Sequence, residues 1–177
     1  MISRIRYELL PKRLETYEKY CKILRWGRAN PTRFMEDFLG VSLTDHQKYI
    51  LLNSWIASNV VWLCSRSSGK SFMSAPLIMA RSLLIPNHNT YILAPSGSQA
   101  QETFTKMEDM AKGNIASMIG VSNIFLEECV KQNAGADPFT HNKQSFSVSL
   151  YNGSTVNTLN SVAKNIVGKM IAVLKLT

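Results

Sequence analysis

The fold is decided by residues 59–85, NVVWLCSRSSGKSFMSAPLIMARSLLI. The first seven, Asn59 to Ser65, form a continuous apolar run rich in β-branched residues, which is typical of a buried strand in a parallel sheet. After Gly69 the apolar residues recur at helical spacing, and Pro86 ends that pattern. The stretch therefore predicts a strand, a short polar loop and a helix, which together form the first half of a βαβ unit.

The polar loop, residues 64–71, reads CSRSSGKS and matches the phosphate-binding pattern GxxxxGK[ST], except that Cys64 stands in the first position. Gly69 lets the backbone approach a phosphate, and successive N–H groups can form an anion-binding nest where the helix begins. Lys70 can reach the β- and γ-phosphates, and the Ser71 hydroxyl can ligate Mg²⁺ held by a nucleotide. A chance turn without a ligand is the alternative. The candidate nucleotide-binding residues of the loop are Arg66, Ser67, Ser68, Gly69, Lys70 and Ser71.

A second strand and helix follow the first pair. Residues 90–95, TYILAP, form another short apolar run, and residues 96–113 have the spacing of an amphipathic helix. Farther along, apolar residues alternate over 146–159 around Asn152-Gly153, which predicts a hairpin with a type I′ turn. We therefore predict an α/β fold in which a parallel sheet lies between helices, over residues 30–177.

Residues 1–29 are predicted to form a basic helical arm, with one helix beginning near Pro11. Residues 1–33 hold nine basic and three acidic side chains, and the whole chain has a formal net charge of +8. Such an arm suggests an anionic partner such as DNA. A solvated helix face is the alternative.

Two short helices are predicted between the arm and the loop. Asn30 as N-cap, Pro31 in the first turn and Gly40 after the end frame the first. Thr44 and Gln47 have the spacing of a capping box at the start of the second.

Several classes of protein are disfavoured by composition. The three cysteines, Cys21, Cys64 and Cys129, show no CxxC spacing, which argues against a disulfide framework and a zinc site. No run of 18 apolar residues occurs, and the first residues lack the apolar segment of a signal peptide. We therefore expect a cytoplasmic protein.

Three segments resemble the large terminase subunit of tailed bacteriophages, the ATPase motor that packages DNA. Residues 65–71, SRSSGKS, match the Ser-Arg-x-x-Gly-Lys-Ser/Thr form that terminases often have in this loop. Residues 43–51, LTDHQKYIL, are similar to the family's adenine-contacting segment, with Gln47 in that role; helix capping is the alternative for Gln47. Residues 91–104, YILAPSGSQAQETF, are similar to the motif after the second strand, where Ser96 and Gln99 either sense nucleotide or DNA or cap a helix.

The resemblance covers about residues 30–169 and implies part of a RecA-like P-loop ATPase core with a helical N-terminal extension. It implies ATP and Mg²⁺ as ligands, with Ser71 contacting the metal through bound nucleotide. It also implies double-stranded DNA, a portal protein, a small terminase subunit and further copies of the chain in a ring as partners, in the cytoplasm of an infected or lysogenic bacterium. The alternatives are a non-catalytic fragment that binds DNA or packaging partners, and a helicase-like P-loop ATPase.

The chain departs from that family in its acidic residues. A phosphate-loop ATPase needs an Asp for Mg²⁺ and a residue that orients the attacking water, and terminases place an Asp-Glu pair after an apolar strand. Here that region reads MIAVLKLT, residues 170–177, and no Asp or Glu occurs from Pro138 onward. Glu127 and Glu128 are poor substitutes, because IFLEE is better explained as an amphipathic helix. We therefore expect a motor domain cut short before its acidic strand and without the nuclease domain, with no assignable catalytic residue, which binds ATP without hydrolysing it.

Overall fold

The computed structural model describes residues 11–65, 68–94, 96–113, 124–131, 136–143, 145–160 and 172–175. Within these residues the fold is α/β. The helices are α1 (Pro11–Ala29), α2 (Pro31–Leu39), α3 (Asp45–Ile56), α4 (Lys70–Leu84), α5 (Gly97–Ala111) and α6 (Ile124–Glu128). The strands are β1 (Asn89–Ala94), β2 (Thr140–His141), β3 (Phe146–Ser149), β4 (Thr155–Asn160) and β5 (Ala172–Lys175).

The strands of the described residues form one sheet with the order β2-β3-β4-β1-β5. β1 lies between β4 and β5 and pairs parallel with both, so that Ile92 is in register with Thr158 on one side and with Leu174 on the other. β2, β3 and β4 pair antiparallel. The prediction of a parallel sheet is therefore wrong in part, because the sheet is mixed. β4 pairs parallel with β1 on one edge and antiparallel with β3 on the other, so the hairpin extends the parallel strands into an antiparallel part.

Residues 59–65 are not the buried strand that their apolar run predicts. They have no regular secondary structure, and the exposed fraction is 77% for Val61 and 92% for Leu63. A short apolar run does not by itself reveal whether a neighbouring strand exists, and here both edges of β1 are already paired. Trp62 is half-buried and its indole Nε1 donates to Ser54 Oγ at 2.7 Å, which fixes the segment against α3.

α4 is the most deeply buried helix, and it determines where the loop lies. Residues 73–80 of α4 are all buried, among them Pro76 within the helix. α4 packs against α2 and α5, and α5 packs in turn against β1 and β4. Phe104 and Met107 of α5 are fully buried in this core. The start of α4 is therefore held beside one face of α5.

The helices before the loop agree with their sequence signals. α1 begins at Pro11, and α2 has Pro31 in its first turn and Gly40 in the left-handed conformation, φ 66°, at its end. Asn30 is in the N-cap position, but its side chain makes no capping hydrogen bond, and its Nδ2 donates instead to Trp26 O at 3.2 Å. The last turn of α1 packs on the core, because a Cβ on Gly27 would lie 2.7 Å from the Leu84 side chain. The helical arm is thus anchored to α4 at its C-terminal end.

The β3–β4 hairpin forms as predicted, with Val148 opposite Val156, but its turn differs. A type I′ turn needs positive φ at both central residues, whereas only Gly153, φ 83°, has it in this loop. Gly153 N donates to Leu150 O, and Leu150 N donates to Ser154 O, as in a three-residue connection with a glycine bulge. The Asn152 amide is used elsewhere: Nδ2 donates to Ser82 O at 2.7 Å and to Leu83 O at 3.2 Å, at the end of α4.

Candidate functional site

The loop enters α4 through a glycine that has the backbone geometry required of it. Gly69 is the N-cap of α4 and has φ 81°, in the left-handed region that residues with a Cβ rarely adopt. Its carbonyl oxygen accepts a hydrogen bond from Met73 N at 2.9 Å, so the first turn of the helix is closed. The other N–H groups of this turn remain at the helix end, where the helix dipole favours an anion.

Lys70, the first residue of α4, folds back over the loop. Its Nζ donates a hydrogen bond to Cys64 O at 3.1 Å, which ties the two ends of the loop together. The predicted cation of the site is therefore held at the loop by a neutral backbone acceptor. An anionic phosphate oxygen is a stronger acceptor for an ammonium group than a carbonyl oxygen is.

Gln47 shows the capping arrangement and also lies against the loop. Its Oε1 accepts from Thr44 N at 3.0 Å while its own N donates to Thr44 Oγ1 at 3.4 Å, so the predicted capping box is confirmed. A Cβ placed on Gly69 would lie 3.3 Å from Gln47 Nε2. The structure thus brings Gln47 and the loop glycine together, while the adenine contact stays a prediction.

The two serines that flank this glycine and lysine pair both line the same cavity. Ser68 Oγ is buried and has no hydrogen-bond partner within the described part of the chain. Ser71 is half-buried in the first turn of α4, and its carbonyl oxygen accepts from Ser74 Oγ at 2.9 Å. The remaining predicted loop residues, Arg66 and Ser67, lie outside the described residues.

The cavity at the loop has a volume of about 440 Å³, within the range of small-ligand sites. One wall is residues 68–72, and the other is formed by Lys106, Asp109 and Met110 of α5. Sequence reasoning missed Lys106 and Asp109. Their spacing of three residues places them on one face of a helix, but nothing in the sequence shows that this face turns toward the loop.

The other polar residues singled out from the sequence have structural roles or lie apart from the cavity. Ser96 is the N-cap of α5, and its Oγ accepts a hydrogen bond from Gln99 N at 3.4 Å. Of the two roles considered for Ser96 and Gln99, this contact corresponds to helix capping. IFLEE forms α6, with Phe125 in the core and Glu127 exposed, as predicted for an amphipathic helix. Neither Glu127 nor Glu128 lines the cavity.

An ionic cluster holds α5 in place beside the cavity. Glu108 is buried, and its two carboxylate oxygens contact Lys112 Nζ at 2.5 Å and His141 Nε2 at 2.7 Å. Lys112 Nζ also contacts Asp137 Oδ2 at 2.5 Å. Partial burial would raise the pKa of the Asp137 carboxyl, but the bonds from Lys112 and from Phe139 N outweigh it and the pKa is lowered. For Lys112, likewise, burial would lower the pKa, and the two carboxylates raise it overall. The cluster fixes α5 against β2 and thereby fixes the far wall of the cavity.

A resident metal centre and a membrane span have no support in the described residues. They contain no group of three or more His, Cys, Asp and Glu side chains that could hold a metal ion. None of their helices combines the length and the apolar character needed to cross a bilayer.

Comparison with known proteins gives no match to a protein-family model and none to a curated protein.

Proposed function

We propose that the chain binds ATP or ADP in the cavity between residues 68–72 and α5. The observation that carries the proposal is Gly69, whose left-handed backbone opens α4 directly before Lys70 and Ser71 at a cavity of about 440 Å³. A helix N-terminus with a glycine, a lysine and a hydroxyl in this order is the arrangement that binds polyphosphates in P-loop proteins. The sequence resemblance extends the proposal to the nucleotide-binding part of a phage DNA-packaging motor, with a RecA-like core.

Mg²⁺ fits the residues at this cavity. Ser68 Oγ is a buried hydroxyl without a partner in the described part of the chain, and Ser71 lines the cavity beside it. When bound, Mg²⁺ supplies positive charge that offsets the charge of the phosphate oxygens. We assign the metal-facing role to the Ser71 hydroxyl, and a hydrogen bond to a phosphate oxygen to Ser68.

The chain's own residues then do three things. The N–H groups at the start of α4 and the Lys70 ammonium bind phosphate oxygens, and Lys70 exchanges Cys64 O for a charged acceptor. Gln47, held by its cap to Thr44, lies beside the glycine. Binding is the proposed activity, and no residue of the cavity is assigned a role in hydrolysis.

The test is a titration with a fluorescent ATP analogue. Lys70→Ala removes the cation, and we expect at least about tenfold weaker binding, as for the loss of a hydrogen bond to a charged group. Lys143→Ala, the same change at an exposed position that does not line the cavity, is the control and should bind like the wild type. Equal affinity of Lys70→Ala and wild type would overturn the proposal.

A second candidate function, DNA binding, is favoured by the exposed face of α1. Lys19, Lys22 and Arg25 recur every third residue and are all exposed. Glu15, one turn before Lys19, pairs with it at 2.7 Å and offsets one of these charges. Sequence-independent DNA binding through this face should weaken steeply with salt, because bound phosphates release counterions.

The triple change Lys19→Ala/Lys22→Ala/Arg25→Ala should lower both the DNA affinity and its dependence on salt in an electrophoretic or anisotropy assay. An unchanged dependence of affinity on salt would show that these residues form a solvated helix face that does not bind DNA.

The packaging partners follow from the resemblance alone. A portal protein, a small terminase subunit, a ring of further copies and the host cytoplasm belong to the proposal for this reason, and so does the helicase-like alternative.

A further inference from the structure

We infer that Asp109 makes nucleotide binding at this cavity dependent on a divalent cation. The inference rests on the proposed nucleotide site and adds a residue that no sequence signal identified. Asp109 lies on α5, across the cavity from Lys70 and Ser71. It is exposed, and no hydrogen bond or ion pair to another described residue occupies its carboxylate.

Asp109 acts on a bound nucleotide through its charge. A nucleoside triphosphate brings several negative charges into the cavity, and a carboxylate on its wall repels them. A cation placed between the carboxylate and the phosphates turns the repulsion into attraction. Asp109 therefore opposes the metal-free nucleotide and favours the metal complex.

Mg²⁺ prefers oxygen ligands that a carboxylate can supply. Mg²⁺ in nucleotide sites keeps several waters and is bound by one or two carboxylates together with the substrate's phosphates. The described residues contain no cluster that would hold a metal without a nucleotide. One carboxylate on α5 and one hydroxyl at Ser71 match a metal that arrives with the nucleotide and leaves with it.

Lys106, on the same face of α5 as Asp109, should affect binding in a different way. Lys106 also lines the cavity, and its Nζ is 3.7 Å from Glu102 Oε1 in an exposed pair that contributes little. Its positive charge attracts the phosphates whether or not a metal is present. The two residues should therefore give opposite and distinguishable effects.

The experiment measures ATP affinity for each protein with excess Mg²⁺ and with EDTA. For Asp109→Asn we expect tighter binding than wild type in EDTA and a smaller gain from Mg²⁺, each by about fivefold, the effect of one nearby unit charge in a solvated site. Lys106→Gln should weaken binding in both conditions. Asp37→Asn, the same change at an exposed position on α2 away from the cavity, should leave both affinities unchanged.

The outcomes separate the two proposals. If the wild type does not bind ATP, or if Lys70→Ala binds ATP as well as the wild type does, the proposed nucleotide site is overturned. The inference about Asp109 is then overturned with it. If binding depends on Lys70 but Asp109→Asn keeps the wild-type affinities in Mg²⁺ and in EDTA, only the inference about Asp109 is overturned. Thermal melts of all variants verify the fold, which exposed substitutions should leave nearly unchanged.

Discussion

Gln47 Nε2 lies 3.3 Å from the point where a Cβ on Gly69 would stand, so the side chain that caps α3 also covers the loop glycine. Two elements that are separate in the sequence, a helix start and a phosphate-loop pattern, are thereby one structural unit. A substitution at either residue therefore alters the surroundings of the other.

The change Gln47→Glu separates capping from ligand contact. Glu serves as well as Gln in the third position of a capping box, so the free energy of unfolding should change by less than about 0.5 kcal/mol. If Gln47 Nε2 contacts adenine, the preference for ATP over GTP should fall, whereas the added charge repels both nucleotides alike. An unchanged ATP-to-GTP ratio in competition binding would leave Gln47 with its capping role alone.

The change Gly69→Ala should destabilise the loop. A Cβ at φ 81° is strained by about 1–2 kcal/mol, and it also meets Gln47 Nε2. Ser68→Ala, one residue earlier, is the control: it removes a buried hydroxyl without a partner in the described residues and should be neutral or slightly stabilising. Urea unfolding measures both. A Gly69→Ala protein as stable as wild type would show that the loop does not hold this conformation in solution.

The change Glu108→Ala should lower stability by about 1.5–3 kcal/mol, the range for hydrogen bonds to charged groups. The buried carboxylate bonds to Lys112 and His141, and its loss leaves these two side chains without the acceptor that they share. Glu102→Ala on the same helix breaks only an exposed pair and should cost less than about 0.5 kcal/mol. A similar loss of stability for the two variants would show that the cluster does not hold α5 in place.

The contribution of Asp137 should depend on pH in a defined direction. Its pKa is lowered in the folded chain, so the ionised form is favoured by folding. The stability it adds is therefore fully present above the unfolded pKa of about 3.9, and it is lost as pH falls through the lower folded value. The difference in unfolding free energy between wild type and Asp137→Asn should be constant from about pH 7 to 5 and shrink below about pH 4. A difference as large at pH 3 as at pH 7 would contradict the ionic explanation.

The change Leu63→Ala tests whether residues 59–65 are exposed, as in the structure, or form the buried strand that the sequence predicts. Leu63 is 92% exposed, so its truncation should change stability by less than about 0.5 kcal/mol. Ile92→Ala in the buried β1 should cost about 2–5 kcal/mol in the same assay. A comparable loss for Leu63→Ala would place the segment in the core after all.

The sequence predicted best those features that depend on neighbours along the chain. The capping box of Thr44 and Gln47, the glycine end at Gly40 and strand β1 all follow from local patterns, and all are present. Residues 59–65 were predicted wrongly, because strand formation requires a partner elsewhere in the chain. Lys106 and Asp109 were missed for a related reason, since their place at the cavity depends on how α5 packs beside α4.

The contact of Asn152 with the end of α4 also bears on how the chain is synthesised. The backbone oxygens of Ser82 and Leu83 accept from a side chain that lies about 70 positions later in the sequence. At ribosomal rates of about 5–20 residues per second, that donor follows roughly 4–14 s after them. Over much of the same interval β1 has neither β4 nor β5 beside it, and the backbone N–H and C=O groups on its two edges are without their final partners. The nascent chain is therefore most prone to aggregation between the emergence of β1 and that of the β3–β4 hairpin.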